Sequence, residues 1–367
     1  MTLSPELSKV FEHVLSAKFC SKLCTSDLQF GFKPNKGCED ALYCIHSVVN
    51  YYTKRGNTVN IAMLDISKAF DKVCQPKLFE ILLRKGVSKR FVQLLQDWYQ
   101  KCCVYVRWDG VYSDPFPVTS GLRQGSILSP LLFSVYIDIL VAELSKSQSG
   151  CYVHGIFLGC ILYADDIVLL SLSIRSLQHM LDMSIAVIHN LDLRFNVSKS
   201  ACCRFGPRYR ILCDVLLLGS ERLKYVSNIC YLGVNLEAGK NFNRSISESK
   251  LKFYKVFNMM YNKCACTLPE NVSLELLRSK CIPILYYACG AFPMSKSDNR
   301  SLDRILYRAL AKIFKIYDSD IICAVKLKFG IKDSANYAIA RHKKFHDKFS
   351  IKNFSFKQVI LSIAEDC

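Results

Sequence analysis

The sequence lacks the features that would place the chain in a membrane or outside the cell. No uncharged apolar stretch reaches the roughly 18 residues that a bilayer requires, because the longest candidate is broken by Pro130, Asp138 and Glu143. Its first ten residues, MTLSPELSKV, contain no apolar core of the kind found in secretory signals. We therefore expect a cytoplasmic or nuclear protein that is not secreted and does not bind membranes.

The sequence also lacks a disulfide framework and a zinc motif. It has 19 cysteines but no C-x-x-C spacing. The closest cysteine pairs along the chain are Cys20/Cys24, Cys102/Cys103, Cys202/Cys203 and Cys264/Cys266. We expect reduced thiols that mostly fill the core.

Acidic residues are scarce relative to basic ones. Lys and Arg number 49 against 31 Asp and Glu, which gives a net charge of +18. Residues 241–367 hold 22 basic and 11 acidic residues, so +11 of this excess lies in the last third of the chain. Such an excess favours a polyanionic partner, either nucleic acid or an anionic membrane surface.

The spacing of apolar residues predicts a mixture of helices and strands followed by a helical region. Helices are predicted at 41–56, within 75–100 on both sides of Gly86, as one long apolar helix after 126, at 174–190 and beyond 240. A strand is predicted at 59–65, and hairpins are predicted at 103–119 and 155–173. This order indicates an α+β body with an appended helical domain.

Three carboxylates stand where two of these predicted elements end. Asp65 closes the strand, and Asp165 with Asp166 occupies the tip of the second hairpin. If the hairpin lies beside the strand, the three carboxylates converge, and two divalent cations would neutralise them. Taken alone, an Asp-Asp pair is more often an ordinary exposed turn, so its surroundings have to decide.

Six segments occur in the order and spacing of reverse transcriptases, and the details resemble the non-LTR (LINE-type) retrotransposon branch. They are QFGFKPNKGCEDAL at 29–42, LDISKAFDKV at 64–73, SGLRQGSILSPLLF at 120–133, YADD at 163–166, FNVSKS at 195–200 and YLGVNL at 231–236. The resemblance extends over nearly the whole chain.

The resemblance implies a right-hand polymerase of α+β class, with an antiparallel palm sheet and a helical C-terminal thumb. Partial fingers would occupy 1–58, the palm 59–240 with a fingers insertion at about 75–119, and a basic thumb with a C-terminal extension 241–367. Relative to this family we expect an N-terminal truncation that removes two fingers strands bearing a triphosphate-gripping arginine and a lysine.

The resemblance also assigns the charged residues. Asp65 and Asp165 would be the principal ligands of two Mg²⁺ ions, with Mn²⁺ as an alternative, helped by the main-chain carbonyl of Ile66. Asp166 would be a weaker ligand, because neighbours on an extended chain point apart. Lys199 would donate a proton to the departing pyrophosphate, although a solvated lysine is an equal alternative.

Further residues match the family's nucleotide site. Phe70 corresponds to the bulky side chain that excludes a 2′-hydroxyl, although a core phenylalanine would be the ordinary interpretation outside this family. Gln124 and Gly125 would line the incoming dNTP and the template base. Arg123 would touch phosphate or template, with a plain surface arginine as an equal alternative.

The remaining implications concern the primer and the template. Tyr231, Leu232 and Gly233 would form a primer grip. The basic thumb would follow an RNA–DNA duplex through its phosphates and 2′-hydroxyls. The expected partners are therefore an RNA template, a DNA primer, their duplex and dNTPs.

The sequence thus predicts an RNA-directed DNA polymerase domain that uses two-metal phosphoryl transfer. The alternative is a non-catalytic retrotransposon remnant that binds RNA or an RNA–DNA duplex through its basic thumb. A viral RNA-dependent RNA polymerase is disfavoured by Phe70 and by YADD in place of Gly-Asp-Asp.

Overall fold

The computed structural model describes residues 5–19, 22–264 and 269–365. The chain divides into two compact units, the first formed by Met1–Gly37 and Tyr52–Ser227 and the second by Cys38–Tyr51 and Asn228–Cys367. This division falls inside one helix and before residue 240. The fingers, palm and thumb limits given above therefore stay predictions.

The helices and strands of the described residues confirm the predicted α+β class. The helices are α1 (Glu6–Phe19), α2 (Cys38–Lys54), α3 (Gln75–Arg84), α4 (Lys89–Gln100), α5 (Ser129–Ile137), α6 (Ile139–Lys146), α7 (Ile174–Asn190), α8 (Ser247–Cys264), α9 (Glu270–Leu276), α10 (Ile282–Leu285), α11 (Lys296–Phe314), α12 (Ser319–Lys328), α13 (Ser334–Ile351) and α14 (Lys357–Glu365). The strands are β1 (Val59–Leu64), β2 (Cys103–Val104), β3 (Arg107–Trp108), β4 (Val111–Tyr112), β5 (Phe116–Pro117), β6 (Tyr152–Val153), β7 (Ile156–Phe157), β8 (Cys160–Tyr163), β9 (Asp166–Ser171), β10 (Ala201–Phe205), β11 (Leu217–Leu218), β12 (Glu221–Arg222), β13 (Lys224–Tyr225), β14 (Asn228–Tyr231), β15 (Val234–Glu237) and β16 (Asn243–Ser245). A 3₁₀ turn covers Phe70–Lys72, and a π-helical turn covers Leu277–Cys281.

The first unit is built around a five-stranded sheet with the order β13-β10-β1-β9-β8. Strand β1 is central and runs antiparallel to both β9 and β10, while the short β13 pairs parallel to β10. All six residues of β1 are buried, and helix α7 packs against β9 and β1. This arrangement confirms the predicted antiparallel sheet.

A buried asparagine links the central strand to both of its neighbours. The Nδ2 of Asn60 donates to the carbonyl of Ser171 on β9 at 3.2 Å. Its Oδ1 accepts from the Nε of Arg204 on β10 at 2.9 Å. Because a one-residue slip would separate these partners, Asn60 favours the observed register of β1 on both sides.

Most helices that the sequence predicts are present, but the long apolar helix after 126 is interrupted. Helix α5 ends at Ile137 and α6 begins at Ile139. Between them, the buried carboxylate of Asp138 accepts from the backbone N–H of Ser26 and from Lys85 Nζ, both at 2.8 Å. The prediction of one continuous helix was wrong because the pattern of apolar residues carries no information about these distant partners.

The second unit combines a small antiparallel sheet, β14-β15-β16, with the helices from α8 onward. Its core is formed by apolar faces of α8, α9, the π-helical turn, α10 and α11. Representative buried residues are Phe253, Leu277, Leu285, Leu306 and Leu310. The predicted helical character of the C-terminal region is confirmed for the described residues.

Helices α2 and α13 are joined within this unit by aromatic packing and by an ion pair. The Tyr43 ring lies edge-on to Phe345 and Phe349, with ring centroids 5.2 and 5.1 Å apart. Lys352 Nζ lies 2.6 Å from each carboxylate oxygen of Asp40, whose side chain is 2% exposed. The burial of Asp40 makes this pair structurally important.

Fewer than half of the described cysteines are buried, so the expectation that they mostly fill the core is met only in part. Buried thiols include Cys151, Cys160, Cys202, Cys203, Cys281 and Cys289. Within the described residues, no helix combines the length and apolarity needed to cross a bilayer.

The ion pair between Asp40 and Lys352 leads to a prediction about the stability of the folded chain. Asp40→Asn leaves Lys352 without its charge partner, so we expect the free energy of unfolding to fall by about 3 kcal/mol in a urea titration. The matched control is Glu80→Ala, which breaks an exposed helical pair with Arg84 and should cost less than about 0.5 kcal/mol. Equal losses in the two variants would contradict the structural role of Asp40.

Candidate active site

The pairing of β1 with β9 brings the strand aspartate and the hairpin aspartates to the same end of the sheet. Leu64, the last residue of β1, pairs with Ile167, so Asp65 follows β1 at the point where Asp166 begins β9. Tyr163 pairs with Asp166 across the hairpin, which leaves Asp165 in the two-residue loop. The sequence prediction that the hairpin lies beside the Asp65 strand is confirmed.

The carboxylates at this end of the sheet repel one another. Burial and the charge of Asp65 raise the pKa of Asp165, while Lys199 opposes the shift. Burial, together with the charges of Asp165 and Asp65, raises the pKa of Asp166 to about 6. Lys199 Nζ lies 3.9 Å from Asp65 Oδ2, and its side chain is 68% exposed, so it compensates the negative charge only in part.

The donor atoms suit a hard cation, but they do not form a closed metal site. Within the described ranges, no three His, Cys, Asp or Glu side chains are grouped so that they could hold a metal ion. Carboxylate and carbonyl oxygens are nevertheless the ligands that Mg²⁺ prefers. The metal-ligand roles of Asp65, Asp165, Asp166 and Ile66 therefore stay predictions.

A buried glutamine holds the hairpin tip. Gln29 Oε1 accepts from the backbone N–H groups of Gly31 and Ala164, at 3.0 and 3.2 Å, and the side chain is fully buried. Ala164 has a φ of +57°, a conformation that alanine adopts only at a cost. A Cβ at Gly31 would collide with the backbone nitrogen of Ala164, so the two segments approach as closely as glycine allows.

The segment 194–200 lies against the residues that follow β1. The N–H of Asp65 donates to Ser200 Oγ at 3.1 Å, and the carbonyl of Asp65 accepts from the N–H of Asn196 at 2.8 Å. On the other side of Ile66, the N–H of Ser67 donates to the carbonyl of Arg194 at 2.9 Å. The backbone on both sides of Asp65 is thus fixed, and Lys199 is brought to the carboxylates.

Phe70 is half-buried in the 3₁₀ turn after this strand. Its ring stacks on Phe133 with centroids 4.6 Å apart and meets the edge of Phe32 at 6.2 Å. Its carbonyl accepts from the N–H of Leu122 at 2.8 Å. Phe70 is therefore held on one side and accessible on the other, and its role as a gate stays a prediction.

The glycine-rich loop rests directly on this turn. Gly121 has a φ of +81°, and a Cβ there would lie 2.7 Å from the carbonyl oxygen of Asp71. Gln124 Nε2 donates to Asp71 Oδ1 at 2.7 Å. Gln124 and Gly125 are exposed, so the loop presents them beside Phe70, and their nucleotide contacts stay predictions.

Arg123, by contrast, has internal partners. Its Nη1 lies 3.2 Å from Oε1 of Glu12, a carboxylate on α1 that is 3% exposed, and its guanidinium lies over the Trp98 ring. Glu12 Oε2 also accepts from Ser126 Oγ and from the N–H of Ile127, both at 2.7 Å. The structure thus gives Arg123 a place in a cluster that anchors the loop, and contact with phosphate or template stays a prediction.

The predicted primer grip lies in the second unit. Leu232 and Gly233 form the two-residue loop between β14 and β15, with φ values of +46° and +76°. Such values are typical of a type I′ hairpin turn. The Tyr287 hydroxyl donates to the carbonyl of Leu232 at 2.9 Å, and Tyr231 is buried. Contact with a primer stays a prediction.

Sequence reasoning missed several residues that position this site. They are Glu12, Gln29, Gly121 and Ser200. Gln29 was the most visible of them, because a single amide inside the apolar run LQFGF must find a partner if it is buried. No local signal identifies Glu12, whose partners are more than 100 residues away in the chain.

The chain has detectable relatives. A family model described as reverse transcriptase (RNA-dependent DNA polymerase) matches residues 2–236. The chain is 27% identical over 301 residues to the Retrovirus-related Pol polyprotein from type-2 retrotransposable element R2DM of Drosophila melanogaster, a match that covers 80% of this chain and 28% of that protein. It is 26% identical over 324 residues to the RNA-directed DNA polymerase from mobile element jockey of the same species, covering 83% and 34%.

The chain therefore spans about a third of the length of these curated relatives. Among solved structures, apo telomerase from Candida tropicalis matches with a TM-score of 0.46 and 11% identity, covering 98% of this chain and 60% of that one.

The bracing of the hairpin tip can be tested without any activity. Gln29→Leu removes the acceptor shared by Gly31 and Ala164, a loss of about 1 kcal/mol. We expect amides in the peptide 160–168 to exchange hydrogen several-fold faster in this variant. Gln178→Leu is the control, since Gln178 also accepts a backbone N–H, that of Leu217 at 2.8 Å. Unchanged exchange at 160–168 in Gln29→Leu would refute the role of Gln29.

Proposed function

Because this chain belongs to the reverse transcriptase family, we propose that it adds dNTPs to the 3′ end of a DNA primer on an RNA template. Its relatives are polymerases of non-LTR retrotransposons. The family predicted from sequence is thereby confirmed, as is the enzyme class by resemblance, and the helices and strands of the described residues confirm the α+β class. The steps below are proposals for this chain.

The observation that carries the proposal is the meeting of Asp65, Asp165 and Asp166 at one end of the β1–β9 pair. Burial and mutual repulsion both disfavour the charged form of Asp165 and Asp166, so the site favours a ligand with positive charge. Phe70 and the loop bearing Gln124 lie beside the same strand end. The carboxylates and the residues that we propose to face the nucleotide therefore share one part of the first unit.

We assign Asp65 and Asp165 as the residues that would hold two Mg²⁺ ions, with Asp166 in a weaker role. The carbonyl of Ile66 would contribute as well, since the backbone hydrogen bonds on both sides use Asp65 and Ser67 instead. When bound, the ions would align the primer hydroxyl with the dNTP phosphates and neutralise the charge that develops during transfer.

The protein's own groups would complete the reaction. Lys199, exposed and next to Asp65, would donate a proton to the pyrophosphate as it leaves. The Phe70 ring would lie under the sugar and exclude a 2′-hydroxyl. The Arg123–Glu12 pair would keep the loop in place while Gln124 and Gly125 line the nucleotide.

The alternative, a remnant that only binds RNA or a hybrid duplex, rests on the basic charge of residues 241–367 alone. It is not favoured, because a chain that only bound duplex would need neither the aligned carboxylates nor the half-exposed Phe70. The two proposals differ in one measurable property, which is extension of a primer.

Primer extension tests the polymerase directly. With a primed RNA template, dNTPs and Mg²⁺, we expect extension by the full chain and a loss of about 10³-fold or more in Asp165→Asn, because this variant removes a charge from the site of transfer. Asp182→Asn, which changes an exposed aspartate on α7, should retain activity. No extension by the unaltered chain, with duplex binding intact, would favour the remnant.

The proposed steric gate is testable with two nucleotide types. Phe70→Val leaves space for a 2′-hydroxyl, so we expect the preference for dNTPs over rNTPs in kcat/KM to fall by about 100-fold. Most of this change should come from better use of rNTPs. Phe116→Val, which shortens an exposed ring on β5 that makes no ring contact with Phe70 among the described residues, serves as the control. An unchanged preference in Phe70→Val would remove Phe70 from the nucleotide site.

A further inference from the structure

We propose that the second unit carries a pocket that holds one unstacked nucleotide of a single-stranded nucleic acid. The pocket has a volume of about 440 Å³. Its walls are formed by the π-helical turn and α10, by helix α11, by the turn around Gly330 and by helix α13. None of the residues assigned above to polymerisation or to the primer grip lines it.

The floor of the pocket is apolar and aromatic. Ile282, Tyr286 and Leu306 are buried, and Tyr337 is half-buried beside them. The two tyrosine rings lie with centroids 4.2 Å apart and an interplanar angle of 37°. The Tyr286 hydroxyl donates to Ser334 Oγ at 2.7 Å, which fixes one ring and leaves the Tyr337 ring to meet a ligand.

The rim of the pocket is cationic. Arg278, Lys332, Arg341 and Lys344 line it, and no carboxylate does so. Within the part of the chain that the structure describes, Lys332 and Lys344 make no ion pair, whereas Arg278 is paired with Glu275 at 2.8 Å. Unpaired positive charge around an apolar floor favours a ligand that has both a flat apolar body and a negative group.

A nucleotide in a single strand combines these two properties. Its base would cover the Tyr337 ring, as bases do on aromatic side chains, and its phosphates would meet the lysines and arginines. The volume lies within the range of about 300–1,000 Å³ that is usual for small-ligand pockets. A duplex cannot fill this pocket, because its bases are stacked and paired. An inorganic anion would leave the aromatic floor uncovered.

A thumb that follows a duplex needs only positive charge. This pocket needs an aromatic surface as well, so the two kinds of site differ. The pocket would capture an unpaired stretch of the template or of its flanking RNA, so it goes beyond the proposed polymerase reaction. Binding should need neither dNTPs nor divalent cations. Its test can consequently fail or succeed independently of primer extension.

The charged rim is tested by fluorescence anisotropy with a labelled single-stranded RNA of about 12 nucleotides, the full chain, no dNTPs and no divalent cation. The pocket variant is Arg341→Ala with Lys344→Ala. The control, Lys343→Ala with Lys348→Ala, removes the same charge from exposed positions of α13 that do not line the pocket. We expect the Kd to rise about tenfold in the pocket variant and about twofold in the control.

The aromatic floor is tested by Tyr337→Leu, which leaves the charge unchanged. We expect it to weaken binding of the ordinary RNA several-fold and to leave unchanged the binding of an abasic strand of equal length, because only a base can stack on the ring. Thermal unfolding verifies that each variant is folded. Retained pocket-dependent binding in a chain without primer extension would support this site while contradicting the polymerase proposal.

Two outcomes would overturn the inference. Equal weakening by the two double variants, with no effect of Tyr337→Leu, would reduce the pocket to part of a general basic surface. Equal affinity for a poly-glutamate peptide, with the same dependence on the variants, would show a site for anions without any preference for nucleotides.

Discussion

The placing of partly buried, mutually repelling carboxylates at one end of a sheet is the constraint on which the candidate site of the first unit depends. Asp65, Asp165 and Asp166 lie together only because β1 and β9 pair in one register. Asn60 bonds to both neighbouring strands and stabilises this register from within the sheet. Gln29 and Ser200 then fix the backbone at the two places where the carboxylates emerge. These hydrogen bonds thus support a local arrangement that is unfavourable by itself.

The sequence was most informative where function requires a particular side chain in a particular local conformation. The strand that ends at Asp65 and the hairpin that carries Asp165 were predicted correctly, because alternation and turn residues are local signals. The family resemblance then supplied Phe70, Gln124 and Lys199, none of which has a local pattern of its own. The structure places all three on the first unit, near the same strand end.

The sequence was least informative where one residue acts on another that is distant along the chain. The burial of Glu12 against a loop more than 100 residues away, and the interruption of a helix at Asp138, both depend on tertiary partners. From the sequence alone, Arg123 cannot be distinguished from an arginine that binds phosphate. Only its pairing with Glu12 and its position over Trp98 reveal what it contacts in the folded chain.

The strand order also has a consequence for the folding of the chain while it is being synthesised. Strand β1 is the earliest of the five to be synthesised, yet it lies between β9 and β10, which end at Ser171 and Phe205. At about 5–20 residues per second, the apolar segment VNIAML waits roughly 7 to 28 seconds for its second neighbour, which is complete 141 residues later. Until β9 is complete both edges of β1 can pair with another chain, and one edge remains open until β10 follows. This exposure of an apolar strand to other nascent chains follows from the strand order alone.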